Sequence, residues 1–157
     1  MEPRELLDAL DANPADTSSL DAAIQDSLAA GGPETLDVFL GEIGESLSKG
    51  PAAEAVLKAL DVMFRKQKDT EVGPVLAWHA GRIAWKILED LVRAEFFLKA
   101  VVDGKGHEDE WNEFYQSFYA SRGNWLRLEQ FMGEVAARTS MSAIEMKRVL
   151  AKTAQQY

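Results

Sequence analysis

The sequence predicts an all-α fold built from antiparallel helical hairpins, and three observations predict it. Glycine followed by proline punctuates the first half of the chain three times, and such a pair closes one helix and opens the next. Apolar residues recur at helical spacing, with no competing strand pattern of alternating β-branched residues. A helix-turn-helix unit also occurs twice between residues 74 and 139. The three glycine-proline pairs are Gly32-Pro33, Gly50-Pro51 and Gly73-Pro74.

Each predicted helix follows from a start signal, a stop signal and an apolar stripe. Prolines open helices in the first half, and glycine-containing turns at residues 104–106 and 122–124 divide the second half. The last helix begins at Ser142, because Glu145 three residues later completes a capping-box pattern. The predicted helices are Pro3–Leu10, Ser18–Ala29, Glu34–Leu47, Ala52–Lys66, Val75–Leu88, Leu91–Val102, Glu108–Arg122, Trp125–Ala137 and Ala143–Thr153.

The chain is long enough for one domain with a substantial core, since it has 157 residues and 46% apolar content. We therefore predict a single all-helical domain over residues 1–157. It would consist of an N-terminal helical half (1–69), two hairpins (74–139) and a C-terminal capping helix (140–157). The polar run at residues 65–71 is too short and too poor in Ser, Gly and Pro for a flexible linker, so we interpret it as a loop.

The first helix of the first hairpin has two apolar faces. One stripe is predicted to face the core, Trp78 and Trp85 fall nearly opposite it, and His79 falls in a polar sector. Such a helix is either sandwiched between neighbours or presents one face to a ligand. Arg82 lies four residues after Trp78 and three before Trp85, so its guanidinium could stack on either ring. The sequence leaves both alternatives open. The predicted core stripe is Leu76, Ala80, Ile83, Ile87 and Leu91.

The second hairpin has an aromatic stripe on its first helix and an answering apolar stripe on its second. Both stripes follow helical spacing, so we expect the two helices to close as an antiparallel pair around a packed core. The aromatic stripe is Trp111, Phe114, Tyr115, Phe118 and Tyr119. The answering stripe is Trp125, Leu128, Phe131, Met132 and Val135.

The two copies resemble the tetratricopeptide repeat family and cover 66 of the 157 residues. Aligned at Pro74 and Asp109 they are offset by 35 residues, close to the roughly 34 of that repeat. In the first copy Ala80-Gly81 looks like the family's Leu-Gly pair. Its packing partners in the second helix are then Ala94 and Leu98, with one extra residue in the turn near residue 89.

The second copy looks like the family at other positions. Tyr115 and Tyr119 take the leucine and aromatic places, and Gly123-Asn124-Trp125 looks like the family's turn. Both copies also depart from the pattern, since Ala84 stands at an aromatic position and Leu128 at an alanine position. The resemblance implies hairpins stacked as a short tetratricopeptide-like array or right-handed α-superhelix.

The resemblance also implies a concave groove that holds a peptide or a protein partner. In this family the first helices of successive repeats line the groove. The first copy would contribute Val75, Trp78, Arg82, Trp85 and Lys86, and the second Glu110, Glu113, Ser117 and Ser121. Because the chain is acidic overall, Arg82, Lys86 and Arg65 form a locally positive spot suited to an acidic group or a C-terminal carboxylate. The alternative is an ordinary solvated face.

Composition excludes several classes of function. The chain has 17 basic and 26 acidic residues, a net charge of −9 and a sequence pI near 4.7, which disfavours nucleic acid and anionic membrane surfaces. It has no cysteine and two histidines, and neither histidine lies in a metal-ligand motif, so we predict no cofactor and no metal site. An acidic N-terminus without a long apolar run predicts a cytoplasmic protein.

The leading hypothesis is a non-enzymatic adaptor or scaffold that binds a protein or peptide. A dedicated chaperone for a secreted or complex-forming client is one alternative. Another is a helical bundle enzyme or ligand-binding protein, and a homodimer that uses the same apolar face is also open. The bundle's pocket would lie among Trp111, Phe114, Tyr115 and Phe118.

Overall fold

A computed structural model describes residues 2–139 and 142–156, apart from the side chain of Ala143. Within those residues the secondary structure is helical with no strand, so the all-α prediction is confirmed. Positions 1, 140, 141 and 157 lie outside the described residues, so the segment predicted as a C-terminal capping helix (140–157) is described only over residues 142–156.

The helices of the described residues alternate with short turns. Eight of the nine predicted segments begin within one residue of the observed helix, and the fifth predicted segment begins two residues late. The α-helices are α1 (Pro3–Ala12), α2 (Ser18–Gly31), α3 (Pro33–Ser46), α4 (Pro51–Gln67), α5 (Gly73–Arg82), α6 (Leu91–Leu98), α7 (Glu108–Ser121), α8 (Trp125–Thr139) and α9 (Ala143–Gln156). A π-helical segment (Ile83–Ile87) continues α5, and a short 3₁₀ turn (Val102–Gly104) precedes α7.

The chain divides into two compact units, one ending at Val101 and the other beginning at Val102. The first unit contains α1 to α6, and the second contains the 3₁₀ turn with α7 to α9. The helices of the first repeat copy therefore belong to the first unit, and those of the second copy to the second unit.

Helix α5 lies at the centre of the first unit, in contact with α3, α4 and α6. Helix α1 packs on α3 and α4, and α2 packs on α3. Because α5 has neighbours on several sides, it buries apolar residues of both predicted faces, including Leu76, Ala80 and Ile83 of the core stripe and Trp78 of the opposite face. Ile87 and Leu91 of that stripe are only partly buried.

The π-helical segment widens the turns at the end of the first copy's leading helix. The amide of Leu88 donates to the carbonyl of Ile83 at 3.0 Å, five residues back, and that of Asp90 donates to Ala84 at 2.8 Å. Glu89 has a positive φ of 54°. This widened segment lies next to Glu89, where the family resemblance predicts one extra residue, and that alignment stays a prediction.

Helix α6 ends at Leu98, four residues before its predicted end at Val102. From Ala100 onwards the backbone bonds tighten to three-residue spacing, with Ala100 donating to Phe97 at 3.0 Å and Val101 to Leu98 at 3.1 Å. Asp103 then has a positive φ of 51°. Since the bonds donated by Ala100 and Val101 are of the 3₁₀ type, the predicted extension of the α-helix to Val102 is wrong.

In the second unit α7 packs against α8, and α9 packs against both. Phe114, Tyr115, Leu128, Phe131, Met132 and Val135 are buried as predicted. The placement of Trp125 in the core stripe is wrong, because its side chain is 42% exposed. Helical side chains lean towards the N-terminus, so the first residue of α8 places its ring at the open end of the helix.

One hydrogen bond of the predicted capping box is present at the start of α9. Ser142 Oγ accepts a hydrogen bond from the amide of Glu145 at 3.1 Å. This bond satisfies one of the free amides in the first turn of the helix.

Candidate functional site

The predicted binding residues on α5 and the π-helical segment differ in their access to solvent. Trp78 is 3% exposed and belongs to the core, so it presents no ring face to a partner in this conformation. Val75, Arg82 and Trp85 are partly buried, and Lys86 is exposed. The Lys86 ammonium lies 3.8 Å from the ring centroid of Trp85, which is a cation–π contact.

The polar sector predicted for His79 is wrong. His79 is 8% exposed, and its Nε2 lies 2.6 Å from Asp37 Oδ1 of α3. Because α3 packs on α5, it supplies the polar partner that a buried imidazole needs. Sequence reasoning missed this pair because the two residues are 42 positions apart.

A groove of about 850 Å³ opens on the first unit between α4 and α6. We call it the α4–α6 groove. Its volume falls within the roughly 300–1,000 Å³ of ligand sites. Arg65, the remaining predicted binding residue, lies in it. The groove is lined by Pro14, Ala15, Pro51, Glu54, Ala55, Leu57, Lys58, Asp61, Arg65, Val92, Arg93, Phe96 and Phe97.

Helical spacing explains how α4 forms one wall of the groove. Glu54, Lys58, Asp61 and Arg65 follow one another at intervals of three or four residues, so they form one charged row along the helix. Ala55 lies beside this row and is buried. The wall from α4 is therefore charged at its rim and apolar at its floor.

Two pairs of residues on α6 form the opposite wall. Val92 and Phe96 are four residues apart and partly exposed, at 65% and 37%. Arg93 and Phe97 follow them by one position each, and Phe97 is buried. Val92 and Phe96 give this wall an exposed apolar rim, whereas Phe97 contributes to the floor.

An ion-pair network links the two walls at one end of the groove. Arg93 donates two hydrogen bonds to Glu54, at 2.7 and 2.9 Å, and its Nε donates to Asp90 at 2.8 Å. The paired geometry is the strong bidentate form of an arginine–carboxylate contact. Arg93 thereby fixes α6 relative to α4.

The same network shifts the pKa values of its members. The hydrogen bonds from the Arg93 side chain lower the pKa of Glu54. The pKa of Asp90 is lowered first by the backbone amide of Arg93 and then by its side chain. Bonds to Glu54 and Asp90 raise the pKa of Arg93. These groups are thus held in their charged forms at neutral pH.

Aromatic rings close the other end of the groove. The ring centroids of Phe96 and Phe97 are 5.0 Å apart, and Phe64 of α4 lies 5.8 Å from Phe97 in an edge-on arrangement. The Arg65 guanidinium carbon lies 5.0 Å from the Phe96 centroid, and Arg65 Nε donates to Asp61 at 2.8 Å. Arg65 is therefore held between a ring and a carboxylate at the groove rim.

A second, smaller depression of about 300 Å³ adjoins the groove. We call it the side depression. The two hollows share Pro14, Ala15 and Lys58 in their linings. The side depression is lined by Pro14, Ala15, Thr17, Asp21, Lys58, Ala59, Val62, Met63 and Lys66. The two hollows therefore adjoin each other at Lys58 of α4.

Of the charged and aromatic residues in the groove, Arg65 was predicted as a binding residue, although for a groove beside Trp78 and Trp85, and Arg93 and Phe96 were not predicted. The apolar pair Val92 and Phe96 lies at i, i+4 spacing beside the packing pair Ala94 and Leu98. That second apolar row on α6 was a usable signal, because a short helix with two apolar rows has more apolar surface than one neighbour covers.

The aromatic cluster of the second unit is packed ring against ring. Trp111 lies 4.6 Å from Tyr115, and Phe114 lies 5.6 Å from Phe118. Phe114 and Tyr115 are also buried. The side chains predicted to surround a ligand therefore contact one another.

Metal-ligand clusters and membrane-spanning helices are both absent from the described part of the chain. It contains no group of three or more His, Cys, Asp and Glu side chains placed to hold a metal ion. Among the described residues, no helix combines the length and apolar character needed to cross a bilayer.

Comparisons of the chain with protein-family models, with curated proteins and with solved structures found no match.

Proposed function

We propose that the chain is a non-enzymatic interaction module that binds a peptide segment of a protein partner in the α4–α6 groove. The observation that carries this proposal is the groove itself, with its buried apolar floor, exposed apolar rim and row of charged side chains. Concave sites with apolar walls and a few polar groups are typical of ligand recognition.

The neighbouring side depression favours a polypeptide over a compact small molecule. The groove and the side depression share Pro14, Ala15 and Lys58 in their linings, so a partner that extends beyond the groove past Lys58 reaches a second hollow. Segments of protein partners occupy such extended grooves and place successive side chains in successive hollows.

A tetratricopeptide-like arrangement of helices is part of this proposal. Its support within the first unit is the close approach of α5 and α6 at Gly81. A Cβ added there would lie 2.6 Å from Leu98 Cγ and 3.4 Å from the Ala94 carbonyl. The residues matched to the family's packing positions thus face one another.

Peptide selection tests the proposed function. A library of twelve-residue peptides is selected on the wild-type protein, and the dissociation constants of the enriched peptides are then measured by fluorescence anisotropy. We expect Val92→Glu to weaken binding at least tenfold, because it places a charge on the apolar rim.

Val38→Glu is the matched control. Val38 is 62% exposed and Val92 is 65% exposed, and both lie on helices of the first unit, but Val38 lines neither hollow. Equal binding by both variants would overturn the assignment of the groove. A library that yields no binding peptide would overturn the function.

The surface around Arg82, Trp85 and Lys86 is the competing location. The variant Trp85→Ala, assayed with the same selected peptides, distinguishes it from the groove. We expect Trp85→Ala to bind like the wild type, and a tenfold loss in this variant would transfer the site to the π-helical segment.

An adaptor and a dedicated chaperone would both use the groove, but they differ in their effect on the partner. A chaperone keeps its client from degradation, whereas an adaptor only connects partners that are stable by themselves. We propose the adaptor role and expect the partner's cellular level to stay unchanged when this protein is removed. Loss of the partner in quantitative immunoblots would indicate the chaperone role.

A further inference from the structure

We infer that the partner segment is acidic, with apolar side chains next to its carboxylates, and that Arg65 and Lys58 bind those carboxylates. This inference rests on the proposed function. It specifies which peptides the α4–α6 groove accepts.

Arg65 is the first recognition group. Its bond to Asp61 uses only Nε, and a guanidinium carries four further N–H groups on its two terminal nitrogens. Its side chain is 62% exposed, and its carbon lies 5.0 Å from the Phe96 centroid. The contacts with Asp61 and Phe96 orient the guanidinium. A guanidinium can donate two parallel hydrogen bonds to the two oxygens of one carboxylate.

Lys58 is the second recognition group. It is exposed and lies in the lining shared by the groove and the side depression. Lys58 and Arg65 are seven residues apart on α4, which places them about 10 Å apart along the helix axis. Acidic residues about three positions apart in an extended peptide span this separation.

The acidic side chains of the groove offset part of this positive charge. At one end Arg93 is bonded to both Glu54 and Asp90, so two carboxylates face one guanidinium there. Asp61 is bonded to Arg65. In the side depression Lys66 stands against Asp21. Away from the Arg93 network, the two linings therefore carry three cations (Lys58, Arg65 and Lys66) against two carboxylates (Asp21 and Asp61), on a chain with a net charge of −9.

The apolar part of the partner follows from the opposite wall. Val92 and Phe96 expose apolar surface beside the Arg65 guanidinium, and Ala55 and Phe97 form a buried floor. A leucine or phenylalanine next to the bound carboxylate would cover this surface and exclude water from the ion pair, which strengthens it.

Competition between three synthetic peptide pools tests the inference. All pools contain twelve-residue peptides with the same proportions of Leu, Phe, Ala and Ser. The remaining positions carry Asp and Glu in the acidic pool, Asn and Gln in the second pool, and Lys and Arg in the basic pool. An equimolar mixture is offered to the immobilised full-length protein, and mass spectrometry counts the retained peptides.

We expect the acidic pool to be enriched at least tenfold over the Asn and Gln pool. The net charge of the whole chain favours the basic pool instead, so acidic enrichment would report local recognition in the groove. Arg65→Glu combined with Lys58→Glu should abolish the acidic preference. Lys49→Glu makes a like charge reversal at an exposed position outside both linings and should leave that preference within twofold.

Each result decides one of the two claims. If the acidic pool and the Asn and Gln pool are retained equally, and Val92→Glu retains neither, the acidic partner is overturned. The assignment of binding to the groove then stands. Acidic enrichment that survives the double variant would overturn the roles of Arg65 and Lys58. Retention of no pool by the folded wild-type protein would overturn both the inference and the proposed function.

Discussion

Gly81 shows how a single residue sets the distance between two helices. A Cβ at this position would lie 2.6 Å from both Leu98 Cγ and Leu98 Cδ2, closer than any ordinary contact. Only glycine lets α5 approach α6 this closely, and that approach positions the α6 wall of the groove. The benefit of glycine here is steric, because its backbone lies within an ordinary α-helix.

We predict that Gly81→Ala destabilises the protein by about 1–3 kcal/mol, the usual cost of overpacking a core. Gly44→Ala is the control, since a Cβ there meets no atom within 4 Å and alanine is favoured over glycine inside a helix by up to about 1 kcal/mol. Urea unfolding followed by circular dichroism measures both effects. A neutral Gly81→Ala would show that Leu98 moves aside without cost.

The Arg93 network predicts a dependence of stability on pH. The pKa values of Glu54 and Asp90 are lowered in the folded protein, so the unfolded chain binds more protons in the acid range. The stabilisation is therefore complete above the ordinary carboxylate values. It is lost as the pH falls from about 5 through the lowered folded values.

Arg93→Met should make the unfolding free energy depend less on pH in the acid range. The three side chains are partly exposed, so solvent screening limits the difference at pH 7 to about 1 kcal/mol. Unfolding free energies measured by urea between pH 3 and pH 7 test this expectation, with Lys49→Met as the control for the loss of one positive charge. An unchanged slope in Arg93→Met would show that other carboxylates set the acid sensitivity.

Sequence reasoning at the residue scale succeeded where the signal was local and failed where a partner came from another helix. The core residues Leu76, Ala80 and Ile83 follow from helical periodicity, and all three are buried. The burial of His79 depends on Asp37, which lies 42 residues away and meets it only because α3 packs on α5. Arg65 was predicted from its charge for a groove beside Trp78 and Trp85, but it lines the α4–α6 groove. Arg93 was not predicted, because its partner Glu54 lies on α4.

At the scale of elements, α6 is short and depends on its N-cap. Asp90 Oδ1 accepts a hydrogen bond from the amide of Arg93 at 3.1 Å, and the same carboxylate binds the Arg93 side chain. The helix has eight residues, too few to be stable without capping and packing. One side chain therefore starts the helix and anchors its groove-forming arginine.

Two substitutions separate these roles. Asp90→Ala removes the cap and the ion pair, and we expect a loss of about 1–2 kcal/mol. Asp90→Asn preserves a capping oxygen of similar quality, so it should cost less than about 1 kcal/mol, the usual limit for an exposed ion pair. Urea unfolding at pH 7 measures both. Equal losses would show that charge, and not capping, determines the contribution of Asp90.

The existence and order of the helices could be predicted because caps, prolines and apolar periodicity are local signals. The early end of α6 at Leu98 could not, because the residues that follow it, Lys99, Ala100 and Val101, include no glycine or proline to mark a stop. The groove was missed for a different reason. Helices α4 and α6 each pack on α5, and the space between them exists only in the assembled unit.

At the scale of the whole molecule, the net charge governs how copies of the chain meet. A charge of −9 at pH 7 makes copies repel one another, although the chain exposes apolar side chains such as Val38, Val92 and Leu126. Repulsion of this kind opposes association through apolar surface. It weakens as the pH approaches the sequence pI near 4.7.

We therefore predict that the protein sediments as a monomer at pH 7.5 in low salt and self-associates increasingly towards pH 5. Raising the ionic strength at pH 7.5 should act in the same direction, because about 1 M salt shortens the screening length to roughly 3 Å. Sedimentation velocity measures the mass in each condition, and circular dichroism at pH 5 verifies that the helices persist. A dimer of constant mass at every pH and salt concentration would contradict this expectation, since its interface would outweigh the repulsion and would compete with a partner for exposed apolar surface.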